Sequence, residues 1–416
     1  MNEQKEMLVR WIDEDRAEIV DFLSRFIQAR SPNPPGDTRD AADHVCRFLD
    51  LKRVPYQIIA PRKEMPNIVG SFECGAPGRH LVLNGHLDVF PVGDTGAWQH
   101  DPWGGKIAEG KIYGRGVADM KAGTTASIFT FLYLHRLREE LPGKLTLTCV
   151  SDEETFGPWG ARYLMEHHPE VYGDCCLNGE PSSPHTIRIG EKGLLWLAFT
   201  VETPGAHGAY PHISPSANKI AGRLMAELET LSSINNTTPA YPAAALTGEA
   251  ETIDKALGKG AAEILNKVTV NIGTIHGGLK VNMIPDRCVV ECDIRLPVHI
   301  DKENVMAEIK RICDKYSELR YRVLNFTAPS FCNPGNPMVL CLQSNAEEIS
   351  GIKPKPIVSL GGTDARLWRY KGIPACVYGP FPRNMGAADE YVEVEEFINI
   401  VKIHVLSAFD YLSTAP

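Results

Sequence analysis

The sequence predicts an α/β fold: a mixed, mostly parallel sheet with helices on both faces, interrupted by an inserted α+β domain. Three observations predict it. Short apolar runs, Leu81–Leu83, Leu145–Val150, Cys175–Leu177, Pro356–Leu360 and Pro374–Tyr378, alternate with stretches of helical periodicity, the pattern of strand–helix units around a parallel sheet. Four of these runs end in polar residues: Asn84-Gly-His-Leu-Asp88, Ser151-Asp-Glu-Glu154, Asn178-Gly-Glu180 and Gly361-Gly-Thr-Asp364. In open α/β sheets the binding crevice lies outside the carboxyl ends of the strands, so these tails should converge on one cleft. Between about Leu194 and Ala328 the pattern changes to alternating strands with two helices, which divides the chain into residues 1–193, 194–328 and 329–416, the outer two forming one domain.

Taken in order, Leu8, Trp11, Ile12, Ile19, Phe22, Leu23 and Phe26 recur at helical spacing from about Glu3 to Ile27, and Ser31-Pro-Asn-Pro-Pro-Gly36 stops that helix. A second helix follows from Thr38 to Leu51, and an apolar one from about Thr124 to Leu137. In the insert, strands are expected at Trp196–Val201, Val268–Ile272, Cys288–Ile294 and Arg322–Phe326, with helices near Ser216–Leu231 and Asp301–Lys315. The stretch Asn235–Lys259, rich in Thr, Ala, Gly and Pro, reads as a surface loop or the lead into a short helix. No internal repeat or low-complexity tract is present.

Composition narrows the function classes. With 416 residues, 43% hydrophobic and 23% charged, the chain can bury two cores. Its formal charge of -9 and lack of a Lys/Arg block argue against nucleic-acid and membrane partners. The charged, interrupted N-terminal stretch lacks the apolar run of a signal peptide, so a cytoplasmic location is expected. Eleven cysteines without CxxC spacing read as reduced core residues.

The chemistry is carried by acidic residues and one histidine. His86 and Asp88 are two apart at a strand end and point to one face; a carboxylate beside a ligating histidine orients it and raises its basicity. Asp119, in Gly114-Arg-Gly-Val-Ala-Asp-Met-Lys-Ala-Gly123, reads either as a ligand or as the N-cap of the following helix. Glu153 and Glu154 are adjacent, so their side chains diverge, and one can bind a metal while the other takes a proton from water. Glu180 adds one more hard oxygen. A single His with several carboxylates suits Zn, Mn or Co, and the ligand types do not choose among them.

In this order, HxD, GRGxxDMKAG, SDEExxGxxGAR, NGEPS and GGTDAR, the motifs resemble the family of acetylornithine deacetylase, succinyl-diaminopimelate desuccinylase, aminoacylase and carboxypeptidase G. The resemblance extends to Asp389-Glu-Tyr-Val392. It implies a catalytic α/β domain holding up to two divalent metals and an inserted lid that also forms the interface of a homodimer or higher homo-oligomer. It further implies that His86, Asp119 and Glu180 bind one metal, and that Asp119 bridges to a second held by Glu154. Asp88 would orient His86, and Glu153 would be the general base on the metal-bound water. His207, in Gly205-Ala-His-Gly-Ala209, matches a family histidine that reaches the oxyanion across the dimer interface. Asn282 and Arg295 match binders of a substrate carboxylate, a task the planar fork of arginine suits, and Thr363, beside Gly361 and Gly362, completes the pocket; the plainer alternative for Arg295 is a surface ion pair on a lid strand. The family also has a cis peptide after the bridging aspartate, here Asp119-Met120.

One departure stands out. Where the family has its last metal-ligating histidine, this chain reads Asn384-Met-Gly-Ala-Ala-Asp-Glu390, with Gly386 in the ligand position. The second metal site is therefore expected to be weak, unless Asn384, Asp389 or a histidine from elsewhere fills in. The expected activity is hydrolysis of an amide C–N bond in a small carboxylate-bearing substrate, an N-acyl amino acid or small peptide. The alternatives are a metal-dependent aminohydrolase acting on a non-peptide carboxylate such as an aromatic amine and, third, an inactive binding protein.

Overall fold

Burial explains the two helices that anchor the sheet. Ala122–Arg136 is buried along nearly its whole surface, and Val394–Ser413 buries Phe397, Ile398, Ile400, Val401 and most of its remaining apolar residues; a helix apolar all round belongs in a core. The structure, a computed structural model, describes residues 3–234 and 250–414. The stretch expected as a loop therefore lies largely outside the described residues, which resume with the short helix Ala250–Leu257.

Two compact units divide the chain: Met1–Ile189, Cys332–Ile357 and Thr363–Pro416 form the larger, Gly190–Phe331 and Val358–Gly362 the smaller. Val358–Gly362 joins the smaller unit because the Ser359 carbonyl accepts from the Lys192 amide at 3.0 Å, a long-range pairing that periodicity cannot show.

In the larger unit the strand order is Gln57–Ile59, Asn67–Glu73, Pro142–Val150, Ala76–His86, Cys175–Asn178, Ala375–Val377, Thr186–Glu191. The parallel character is concentrated in the four central strands, Pro142–Val150 to Ala375–Val377, and the flanking pairings are antiparallel. Within Ala76–His86 every residue from Leu81 onward is buried, as expected of a parallel strand covered on both faces. Val82 packs with Val150, Cys176 and Trp368 on one face. On the other, Gly85 lies so close to Thr124 that a Cβ would stand 2.5 Å from its hydroxyl oxygen.

The single helix expected from Glu3 to Ile27 is two, Glu3–Glu14 and Arg16–Gln28. Asp15 between them has ψ 5°, and its carboxylate accepts from the Tyr133 hydroxyl at 3.0 Å. A tertiary hydrogen bond sets this break, so the helical spacing continues through it unchanged.

The smaller unit is a four-stranded antiparallel sheet in the order Thr269–Gly277, Arg287–Leu296, Gly193–Glu202, Leu319–Thr327. Alternate residues, Leu195, Leu197, Phe199 and Val201 on one strand and Val290, Cys292 and Ile294 on its neighbour, share a core with the helices Ala217–Leu228 and Lys302–Cys313. This is the period-two pattern of a sheet buried on one face.

Candidate metal centre

Parallel register brings the polar strand ends together. His86 stands opposite Val150 and Asn84 opposite Asn178, so the residues just beyond, Ser151–Glu154 and Glu180, emerge at one edge with His86 and Asp88. Side-chain hydrogen bonds cross-link these ends: Asn178 Nδ2 donates to Asn84 Oδ1 at 2.7 Å, and Asn178 Oδ1 accepts from the Glu180 amide at 2.9 Å. Gly123 and Gly179 let the Asp119 segment approach, since a Cβ on Gly123 would lie 1.8 Å from the Gly179 carbonyl oxygen.

His86 Nδ1 lies 2.8 Å from the backbone carbonyl of Asp88. Donation of Nδ1–H to that oxygen leaves the Nε2 lone pair free, and the tautomer follows from the hydrogen bond. Nε2 faces Asp119 Oδ1 and Glu180 Oε1, each at 3.3 Å. One ligand atom from each of the three residues lies within 4.8 Å of the others.

Asp88 acts differently from the expectation that its side chain orients His86. Its backbone carbonyl does that, while the carboxylate, 3.7 Å from Nδ1, accepts from the amides of Glu153 at 3.3 Å and Glu154 at 3.1 Å and from Asn33 Nδ2 at 2.8 Å. A carboxylate has room for several donors, and here it shapes the turn that carries the two glutamates.

Asp119 is not a helix N-cap. It lies in an irregular turn, Val117–Lys121, with φ -115° and ψ 95°, ahead of the Ala122–Arg136 helix, and the Asp119-Met120 peptide is cis. The amides of Gly116, Ala118 and Asp119 instead point at the Glu390 carboxylate, at 3.2, 2.9 and 3.2 Å, and Arg115 Nη1 adds a donor at 2.7 Å. Burial raises the Glu390 carboxyl to about 7 against the opposing pull of Arg115. Reading the sequence residue by residue missed Glu390; its signal was the acidic pair Asp389-Glu390 that closes the Asn384–Glu390 segment.

The charges crowd. Burial, reinforced by Glu180, pushes Glu153 well above the usual carboxylate range, and burial with the charge of Asp119 does the same to Glu154. Glu180 is raised to about 8, again by burial first and Asp119 next. His86 goes the other way: burial lowers it, but Glu180, Asp119 and Asp88 together outweigh that and raise it. His86 Nε2, Glu153 Oε1 and Glu154 Oε1 are buried and, among the described residues, have no hydrogen-bond partner. Unmatched carboxylates gathered around an imidazole lone pair are the donor set a divalent cation satisfies, because its charge reverses the local cost of ionising them. The residues thus fit a metal held by His86, Asp119 and Glu180.

At the family's histidine position, Gly386 has φ 75° and only the Phe90 ring within 4 Å of where a Cβ would stand. One of the two named stand-ins, Asp389, is engaged elsewhere. Asp389 Oδ1 accepts from the amides of Gln99 and His100, both at 3.0 Å, and Asn384 Nδ2 donates to the Asp389 carbonyl at 3.0 Å.

Thr363 is buried in the larger unit, and its carbonyl accepts from Arg366 Nη1. The other expected substrate binders belong to the smaller unit. Structure brings two of them together: Ala206–His207 pairs with Met283–Ile284, and the Asn282 carbonyl accepts from the Gly208 amide at 2.8 Å. His207 is exposed, with its Nδ1 accepting from the Ala209 amide at 3.2 Å. Arg295 donates through Nε and Nη2 to Asp293 Oδ2 at 3.0 and 2.8 Å, two residues along the same strand.

A histidine–carboxylate metal cluster at the carboxyl ends of parallel strands, with a further buried carboxyl beside it, defines a metal-dependent hydrolase. The profile of Peptidase family M20/M25/M40 matches residues 82–409, and the chain belongs to that family. It is 27% identical over 367 residues to a succinyl-diaminopimelate desuccinylase of Cereibacter sphaeroides, which covers 85% of this chain and 88% of the relative. Its fold is similar to that of an M20 family metallo-carboxypeptidase, Sso-CP2, from Sulfolobus solfataricus, with TM-score 0.80, 20% identity, and 95% and 99% of the two chains covered. The di-peptidase Dug1p from Saccharomyces cerevisiae gives TM-score 0.80 at 15% identity over 100% of both chains. No helix among the described residues is long and apolar enough to cross a membrane.

Proposed function

We propose that this protein hydrolyses the amide C–N bond of a small carboxylate-bearing substrate, an N-acyl amino acid or short peptide, with Glu153 as general base. The observation that carries this reading is the pairing of Glu153 with the metal cluster: it is 7% exposed, its Oε1 has no hydrogen-bond donor among the described residues, and its backbone amide is held by the carboxylate of Asp88, the residue whose main-chain carbonyl orients His86. A desuccinylase, a carboxypeptidase and a di-peptidase among the similar proteins support an amide substrate.

A divalent ion on His86, Asp119 and Glu180 would supply Lewis acidity, polarising a carbonyl and lowering the pKa of water from 15.7 to about 7. Glu153 accepts the proton of the attacking water and returns it to the departing nitrogen. One C–O bond forms, the C–N bond breaks, and the products are a carboxylate and an amine. Asn282 and Arg295 are assigned to the substrate carboxylate, Thr363 to the rest of that pocket, and His207 to the oxyanion. Asp119 with Glu154 forms a second, weaker metal site, weakened by Gly386.

The same groups could release ammonia from a non-peptide carboxylate, and Gly386 is the observation that favours this second reading, since an altered ligand set accompanies altered substrates. The test is amine and ammonia release by Mn-, Zn- or Co-loaded protein, with a chelated control, from N-succinyl and N-acetyl amino acids, dipeptides and a carboxylate bearing a free aromatic amine. Metal-dependent release of an amino acid is the expected result. Ammonia as the sole nitrogen product would replace the first reading with the second.

We also propose that the protein forms a homodimer through the smaller unit, where Leu279 is 84% and Val281 100% exposed. Large apolar side chains so exposed mark interaction surfaces.

A further inference from the structure

We infer that Arg366 is a positioning residue for Glu153, holding its carboxylate in the orientation that receives the proton; this rests on the reading of Glu153 as the base. Arg366 lies at the start of the Ala365–Tyr370 helix, one turn beyond the strand end at Gly361-Gly-Thr-Asp364. It is 2% exposed, and a guanidinium, which cannot shed its proton, must find partners when buried.

Three groups surround it. Nη1 donates to the Thr363 carbonyl, the guanidinium stacks on the Phe156 ring with Cζ 4.7 Å from its centroid, and Nη1 lies 3.8 Å from Glu153 Oε1. Two buried groups in this contact have no hydrogen-bond partner, Arg366 Nε and Glu153 Oε1. A shift of about 1 Å in either side chain would bring Nη1 and Oε1 to hydrogen-bond distance.

Phe156 gives the arrangement its direction. It belongs to the same turn as Glu153, at φ 52°, with its amide donating to the Glu153 carbonyl at 2.7 Å. Arg366 therefore meets the turn twice, stacked on the aromatic face and with its charge 3.8 Å from the carboxylate. A planar guanidinium does both, whereas an ammonium on a flexible stem supplies only the charge. Thr363, by its carbonyl, fixes the guanidinium in turn.

The experiment compares wild type with Arg366→Ala, Arg366→Lys, Glu153→Gln and the Arg366→Ala/Glu153→Gln double variant. It measures kcat and KM on the best substrate of the panel above, bound metal, melting temperature and the crystal structure of each Arg366 variant. Misplacing a catalytic group by an ångström costs about 100-fold. Arg366→Ala should therefore lower kcat 10- to 100-fold with KM changed less than threefold and metal retained. Added guanidinium should restore part of kcat, Arg366→Lys should fall between, and Arg366→Ala should have no further effect in the Glu153→Gln background. In the crystal of Arg366→Ala, the Glu153 carboxylate should turn away from its wild-type orientation.

If Arg366→Ala fails to fold, Arg366→Lys with its structure carries the decision. An unmoved Glu153 carboxylate with unchanged kcat overturns the inference, and so does a loss confined to KM, which would make Arg366 a substrate contact. Full activity in Glu153→Gln would overturn the proposed base itself, an outcome distinct from failure of the arginine's role.

Discussion

The two places where the chain gathers candidate functional side chains are built in opposite ways. At the strand ends of the larger unit, His86, Asp88, Glu153 and Glu180 are almost wholly buried, and backbone amides, Asn33, Asn178 and Glu390 hold the turns around them. On the smaller unit, His207 and Asn282 lie on an exposed two-stranded ribbon, and Arg295 is occupied by Asp293. The first set is preorganised by these hydrogen bonds, with burial raising Glu153 and Glu180 so that a bound cation offsets the cost of ionising them. The second is arranged by local pairing alone and gains a ligand only by exchanging solvent or Asp293 for it. Chemistry should therefore be lost abruptly by changes to the first set and gradually by changes to the second.

The largest effect expected is from His86→Ala or from chelation. Either should abolish hydrolysis and, by elemental analysis, remove the tightly held ion; turnover by demetallated protein would break the contrast. Glu153→Gln should follow, lowering kcat about 10²- to 10⁴-fold, the range for a lost general base, with metal retained. Metal titration followed by equilibrium dialysis should then show one tight ion per chain and a second bound at least 10- to 100-fold more weakly, the loss typical of removing even an outer partner; two equally tight ions would show that Gly386 costs nothing.

Arg295→Ala should act more mildly, raising KM about 10-fold for carboxylate substrates while leaving kcat within about threefold, since an exposed or pre-paired clamp contributes mostly uniform binding. An equal loss in kcat would erase the distinction between the two regions. The smallest effect concerns stability. His404 is fully buried beneath the sheet, its Nε2 2.6 Å from the Tyr378 carbonyl, and burial lowers it to about 4. The unfolded chain, titrating near 6.5, binds the extra proton, so the contribution is complete above pH 6.5 and is lost as pH falls toward 4. At pH 5 the loss is about 2 kcal/mol. Melting of His404→Gln beside wild type at pH 7 and pH 5 reads it: the variant should lose less stability than wild type over that interval, and parallel losses would count against a neutral buried histidine.

Much of this was legible in the residues before any coordinates. The alternation of apolar runs with helical spacing identified the central strands because a buried parallel strand has to be apolar on both faces. The polar ends of those strands pointed to His86, Glu153, Glu154 and Glu180, because a charged residue directly after a buried run is costly without a partner; Asp119 stood out in the Gly114–Gly123 motif ahead of an apolar helix. Asp88 was legible as a member of the site but not in its manner of acting, since backbone and side chain of one residue can exchange tasks only in a particular fold. The break at Asp15, created by a hydrogen bond from Tyr133, left no trace in periodicity.

By itself, then, the sequence determined the fold class, the metal-ligating residue types and the gap at Gly386, since these depend on local pattern and on chemistry each side chain carries with it. Only the tertiary structure decided that Glu390 shapes the Asp119 turn, that Asp389 serves backbone amides, and that Arg366 lies beside Glu153. These depend on distances between residues up to hundreds of positions apart, which the register of the strands sets and no single segment encodes.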